Sequence, residues 1–154
     1  MKVVPTDWDD ADVQRLTADQ QAELRARYDG QGEPGTTPSA ADISLVLVAR
    51  DDDGTALGCG ALRLLGNGVA EVKRMYVAPS ARGRGVAKAV LAGLEEASRE
   101  RGWTTLRLET RPRQPEAIGL YCRAGYRPIW AFGAYVDAPD AEDSLFFERS
   151  LAPF

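Results

Sequence analysis

Ser80-Ala81-Arg82-Gly83-Arg84-Gly85-Val86-Ala87-Lys88 sets two arginines and two glycines directly ahead of an apolar segment with helical period. Residues in that order suit an anion. The first turn of a helix carries N–H groups without intrahelical partners and a partial positive charge. Glycines let the backbone come close to a ligand, and arginines add paired donors. Such a loop fits a diphosphate. It lacks the third glycine of a dinucleotide fingerprint, because Lys88 stands there, and it lacks the Gly-Lys-Ser/Thr end of a P-loop. What remains is Arg-x-x-Gly-x-Ala, a pattern that a solvated turn also allows; the missing third glycine counts against a domain that holds ADP by the same loop.

Histidine is absent from all 154 residues. That removes every Ser-His and Cys-His nucleophilic arrangement, together with the commonest zinc ligand, and no metal site is expected. Cys59 and Cys122 form neither a disulfide framework nor a metal cluster and read as small apolar residues. Chemistry falls instead to carboxylates, tyrosine, lysine, cysteine, backbone amides or water. The net charge of −4 argues against a nucleic-acid partner. Yet Lys73, Arg74, Arg82, Arg84 and Lys88 follow one another with no acid between them. A cationic strip on an acidic body points to a small anionic ligand. No apolar run approaches the roughly 20 residues that span a bilayer, so no membrane partner is expected. The N-terminus lacks a signal peptide's apolar core, and a cytoplasmic location is expected.

The elements that must position the loop follow from periodicity. Val3-Val4 suggests a short first strand. Thr17 and Gln20 have capping-box spacing and predict a helix from there to about Tyr28. The Gly- and Pro-rich stretch 29–42 predicts a long surface loop. Ile43–Arg50, Ala56–Leu65 and Val69–Val77 predict an antiparallel meander, its second turn made by Gly66-Asn67-Gly68. Val86, Val90, Leu91, Leu94 and Ala97 form one stripe of a helix that Gly102 ends, with Glu95 off the stripe. Thr104–Thr110 alternates as a strand. Pro115 opens a helix that Gly125 stops, and Arg127–Phe132 and Leu145–Leu151 close the chain as strands. The expected fold is α+β, a single domain over residues 1–154 with a mixed, mostly antiparallel sheet flanked by helices.

At four places, in matching order and spacing, the chain resembles the GNAT superfamily of acyl-CoA-dependent N-acetyltransferases. Glu71-Val72-Lys73-Arg74-Met75-Tyr76-Val77-Ala78-Pro79 is similar to the family's fourth strand, and Arg82–Ala87 to its acyl-CoA loop. Leu106–Thr110 is similar to the fifth strand. Glu116–Tyr126 carries the late-helix ending Ala-x-x-Leu-Tyr-x-x-x-Gly-Tyr. The resemblance covers about Ala56 to Tyr126.

It implies a sheet splayed between strands four and five, with the pantetheine arm of acetyl-CoA in the gap. Met75, Tyr76 and Val77 would pair with that arm, and Arg82, Gly83, Arg84, Gly85, Val86 and Ala87 would hold the pyrophosphate. It implies transfer to a primary amine by direct attack in a ternary complex, with no covalent enzyme intermediate. Glu71 would be the base, with Glu109 on the facing strand as an alternative, and Tyr121 the acid for the leaving thiolate. A lysine-like amine of pKa about 10.4 is neutral only about once in 2,500 molecules at pH 7, hence the need for a base. Gln114 stands where the family often has asparagine.

Arg111-Pro112-Arg113 is open to contact with CoA phosphates or to solvation. The acceptor is expected to be a small amine or amino acid. Its walls are expected in 29–42 and 131–144, with Asp137, Asp140, Glu142 and Asp143 either attracting a cation or facing solvent, and with Arg25 or Arg27 available to a carboxylate. Trp103 and Trp130 read as core or rim aromatics. A monomer or homodimer is expected. A non-catalytic acyl-CoA-binding module is the rival reading.

Overall fold

The structure, a computed structural model, describes residues 1–152. In chain order the main elements are β1 (Lys2–Thr6), α1 (Ala11–Arg27), β2 (Leu45–Arg50), β3 (Ala56–Gly66), β4 (Val69–Val77) and α2 (Val86–Glu100). They continue with β5 (Thr105–Thr110), α3 (Pro115–Arg123), β6 (Arg127–Ile129) and β7 (Leu145–Ser150). The seven strands form one sheet in the order β1-β2-β3-β4-β5-β7-β6. Its only parallel pair among the described residues is β4 with β5. This is the expected mixed, mostly antiparallel α+β architecture.

The feature that shapes the site is a bulge in β4. Between the pairs Cys59↔Tyr76 and Ala61↔Lys73, β4 spends one residue more than β3. Arg74 absorbs the excess at φ 57°, a left-handed conformation. Pairing with β5 has already ended at Glu71↔Arg107, so the rest of β4 runs free of its neighbour. The sheet is splayed there, as expected. Gly60 lies across from the bulge, where a Cβ would sit 2.5 Å from Met75 Sδ and 2.9 Å from Val90 Cγ1. Only glycine lets α2 and β4 close on β3 at this point.

Three sequence expectations shift. The first helix starts at Ala11, because the Asp10 carboxylate accepts from the Asp12 and Val13 N–H groups; Thr17 lies inside it and donates to the Gln14 carbonyl. Glu95 is buried on α2, satisfied by the Tyr126 hydroxyl at 3.0 Å and Arg149 Nη1 at 2.7 Å. A paired carboxylate can occupy a face that periodicity reserves for apolar residues. β6 is shorter than expected, since the chain turns after Ile129 and sends Phe132 in against Tyr135 and Phe146. Of the two tryptophans read as core or rim, Trp130 is 93% exposed at the surface and Trp103 packs at the edge of the main core.

Candidate active site

The splay opens a cavity of about 680 Å³ between β4, α2 and α3. Ten of the residues expected at the donor site line it: Met75, Tyr76, Val77, Arg82, Gly83, Gly85, Val86, Ala87, Gln114 and Tyr121. Its floor is the N-terminus of α2. Gly85 is the N-cap at φ 79° and no side chain caps the turn. The first intrahelical bond runs from Ala89 N–H to the Gly85 carbonyl, which leaves the N–H groups of Val86, Ala87 and Lys88 without helical partners. Fifteen residues of aligned peptide dipoles stand behind them.

Arg84 does not join this wall. Its guanidinium lies 3.4 Å from Asp51 on the β2–β3 turn, half exposed. Arg82 does line the cavity, but it is engaged: Nη2 donates to Glu23 at 2.8 Å, Nε to the Val77 carbonyl at 3.1 Å, and the group lies over the Tyr76 ring. Ala78 N–H pairs with the Leu57 carbonyl, so by antiparallel alternation Val77 turns its own N–H and carbonyl into the gap. The Met75 carbonyl accepts from Gln20 Nε2 at 2.9 Å. Side chains of α1 and the loop thus cover the strand's acceptors.

Behind Met75, Gln114 and Tyr121 lies a second, smaller chamber of about 60 Å³. Its walls are charged: Glu33, Glu71, Lys73, Arg74, Glu109 and Arg111. Glu71 is 1% exposed and fully engaged, with Arg63 at 3.2–3.3 Å on one oxygen and the Tyr135 hydroxyl at 2.5 Å on the other. Lys73 Nζ donates to Tyr135 Oη at 2.9 Å and pairs with Glu33 at 2.7 Å; Arg74 pairs with Glu33 at 3.0 Å. Glu109 has lighter ties, a hydrogen bond from Ser144 Oγ at 2.5 Å and Arg111 Nε at 3.7 Å. Burial pushes its carboxyl up to about 7 against the pull of those neighbours. Tyr121 is buried edge-to-face against Tyr126, and burial, with the Glu109 charge, raises its pKa.

Sequence reasoning missed several of these residues. Arg111 is neither at the CoA face nor solvated; it is buried beneath the 29–42 loop, accepted by the Gly32 carbonyl, with its guanidinium 4.5 Å over the Tyr28 ring. The four acids of 131–144 are exposed, and it is Tyr135 and Ser144 from that segment that enter the site. Arg25 is exposed, and Arg27 lies on the donor side, paired with Glu23 and Glu116. A tyrosine and a serine among acids in a loop give no periodic signal. The buried prolines Pro34 and Pro38 of the covering loop give none either.

Among the described residues no helix is long and apolar enough to cross a membrane. A cavity ending on an uncapped helix N-terminus thus adjoins a small chamber walled by charged side chains. A model described as the Acetyltransferase (GNAT) family matches residues 8–126. An IAA acetyltransferase of Azospirillum brasilense is 42% identical over 106 residues, 68% of this chain and 67% of that protein. The crystal structure of a putative acyl-CoA N-acyltransferase from Klebsiella pneumoniae is 34% identical, with TM-score 0.83 over 98% of this chain and 97% of that one. The PaiA N-acetyltransferase of Thermoplasma acidophilum, solved in complex with coenzyme A, shares the fold at TM-score 0.68 and 17% identity, over 97% of this chain and 99% of that one. The chain belongs to the GNAT acetyltransferase family.

Proposed function

We propose that the chain is an N-acetyltransferase that moves an acetyl group from acetyl-CoA to the primary amine of a small amine or amino acid, by direct attack with both substrates bound. One observation carries this reading. Met75, Gln114 and Tyr121 line both the long cavity that ends on the glycine loop and the small charged chamber behind it. A donor held in one meets an acceptor held in the other.

The chain's own groups fit such a donor. The uncapped first turn of α2 and its two positive-φ glycines offer amides to a diphosphate. The Met75–Val77 backbone borders the gap where a pantetheine arm would lie. When bound, acetyl-CoA supplies a thioester carbonyl open to attack, and the Val77 N–H is the donor for charge on its oxygen. Over the whole reaction an ammonium nitrogen loses two protons and gains the acetyl carbon. The sulfur loses that carbon and gains one proton, and one proton leaves to solvent.

Glu109 is the group to take the first proton. Its carboxyl at about 7 is half ionised near neutral pH, close to the optimum for a general base. Glu71 instead holds the chamber wall, its two oxygens committed to Arg63 and Tyr135. Tyr121 gives its proton to the leaving thiolate; its raised pKa keeps the hydroxyl protonated until then.

Thiol release from acetyl-CoA, measured against a panel of amines and amino acids, tests this reading. Acceptor-dependent release supports it. Acetyl-CoA binding without release for any acceptor would leave an acyl-CoA-binding module, and no binding would remove the reading altogether.

A further inference from the structure

Six buried side-chain nitrogen or oxygen atoms among the described residues have no hydrogen-bond partner. Four of them, Gln20 Oε1, Thr110 Oγ1, Arg111 Nε and Arg111 Nη1, belong to residues that wall the small chamber. Orphaned polar atoms are scarce in folded proteins, and each costs free energy comparable to a lost hydrogen bond. Their gathering at one chamber marks a place where a ligand completes the bonding.

Arg111 is the extreme case. It is 1% exposed, and of its three nitrogens only Nη2 has acceptors, the Gly32 carbonyl at 3.2 Å and the Asp140 carbonyl at 3.4 Å. Glu109 Oε2, at 3.7 Å from Nε, is beyond hydrogen-bond reach. The other cations of the chamber are spent. Lys73 and Arg74 share Glu33 at 2.7 and 3.0 Å, and Arg63 outside it holds Glu71. A guanidinium this deep without a hydrogen-bonded counter-ion is a costly feature unless something anionic arrives to meet it.

We propose that the acceptor carries a carboxylate as well as its amine, and that Arg111 receives that carboxylate. The inference rests on the N-acetyltransferase reading above and names the substrate class of that site: an amino acid rather than a simple amine. The chamber offers the complementary pair. Arg111 and the Thr110 hydroxyl donate toward a carboxylate, while Gln20 Oε1 accepts from an amine N–H. Glu109 lies beside Arg111, so a carboxylate fixed on the arginine brings the amine to the base from a fixed direction. Arg111 acts here as a specificity-determining residue.

The test compares matched acceptors. Thiol release would be measured with each common L-amino acid and with its carboxamide, alongside calorimetric titration with acetyl-CoA. In the unaltered protein the best amino acid should exceed its amide in kcat/KM by at least tenfold. Arg111→Gln should raise KM for that amino acid about 30-fold or more, leave acetyl-CoA affinity unchanged, and bring the acid-to-amide ratio close to one. Arg111→Lys, which keeps the charge but not the fork, should recover part of the ratio. Equal rates for acids and amides in the unaltered protein would overturn the proposal without any variant having to fold. So would turnover of amines with none of the acids, or a ratio that survives Arg111→Gln. Failure of acetyl-CoA to bind would show itself separately in the titration and would take the transferase reading down with it.

Discussion

The cavity on the glycine loop and the chamber behind Tyr121 adjoin, yet they are built from different materials. The first is backbone: uncapped N–H groups of α2, two glycines at φ 79°, and a strand edge released by a bulge. Its backbone wall lies almost in one stretch, from Met75 to Ala87, faced by side chains of α1 and α3. The second is side chain. Its charges come from β4, β5, the residue after β5 and the 29–42 loop, and Tyr135 and Ser144 from beyond residue 130 bond to them. A backbone site tolerates many side chains so long as its conformation survives. A side-chain site depends on each charge finding its partner. On the proposed reading the donor goes with the part that many sequences can make, and acceptor choice with the part that each sequence must assemble anew.

That contrast can be broken or sharpened by substitution. The largest effects belong at the junction. Tyr121→Phe should lower kcat by about 10²-fold while acetyl-CoA affinity, read by calorimetry, stays put; equal loss of both would remove its role as an acid. Glu109→Gln should cost a similar factor and abolish the rise of kcat/KM through about pH 7 expected of the unaltered protein as the base ionises. A pH profile that keeps this limb would reassign the base.

Stability should answer in the opposite sense at Glu109. Its folded-state pKa lies above that of the unfolded chain. Between the ordinary carboxylate range and about 7 the folded state therefore holds a proton that the unfolded state has released, and stability falls as pH rises through that window. Glu109→Gln should raise the Tm at about pH 8 and change it little at about pH 4. Glu71→Gln should do the reverse of helping. It leaves the buried Arg63 with Asp42 as its remaining counter-ion and removes two charged hydrogen bonds, at a cost of about 1–3 kcal/mol in denaturant unfolding.

On the backbone side, Gly85→Asp should weaken acetyl-CoA binding by at least about tenfold, since it adds strain at positive φ and a negative charge at the helix N-terminus. The smallest effect should be that of Arg84→Ala. Its partner is Asp51 at the surface, so affinity should change by less than about 1 kcal/mol.

The same division governs what could be read from the sequence. β4 carries identical ends in the sequence reading and in the structure, and the loop and α2 follow because periodicity and glycine spacing are local signals. Tyr121, singled out by the late-helix ending, lines both cavities. Arg84 and Arg82 look equivalent in the sequence, but Asp51 draws one away while Glu23 and Tyr76 hold the other at the cavity. Arg111 could not be placed, because its burial depends on a distant loop closing over it through Gly32, 79 residues earlier in the chain. Glu71 was legible as a site residue, but not the Arg63 and Tyr135 contacts that occupy it.

Calorimetric titration of the protein with acetyl-CoA tests the central claim most directly. One site with micromolar affinity, weakened at least about tenfold in Gly85→Asp and kept in Tyr121→Phe, is the predicted result. No binding at millimolar acetyl-CoA would contradict the assignment of the donor cavity, and with it the chemistry built upon it.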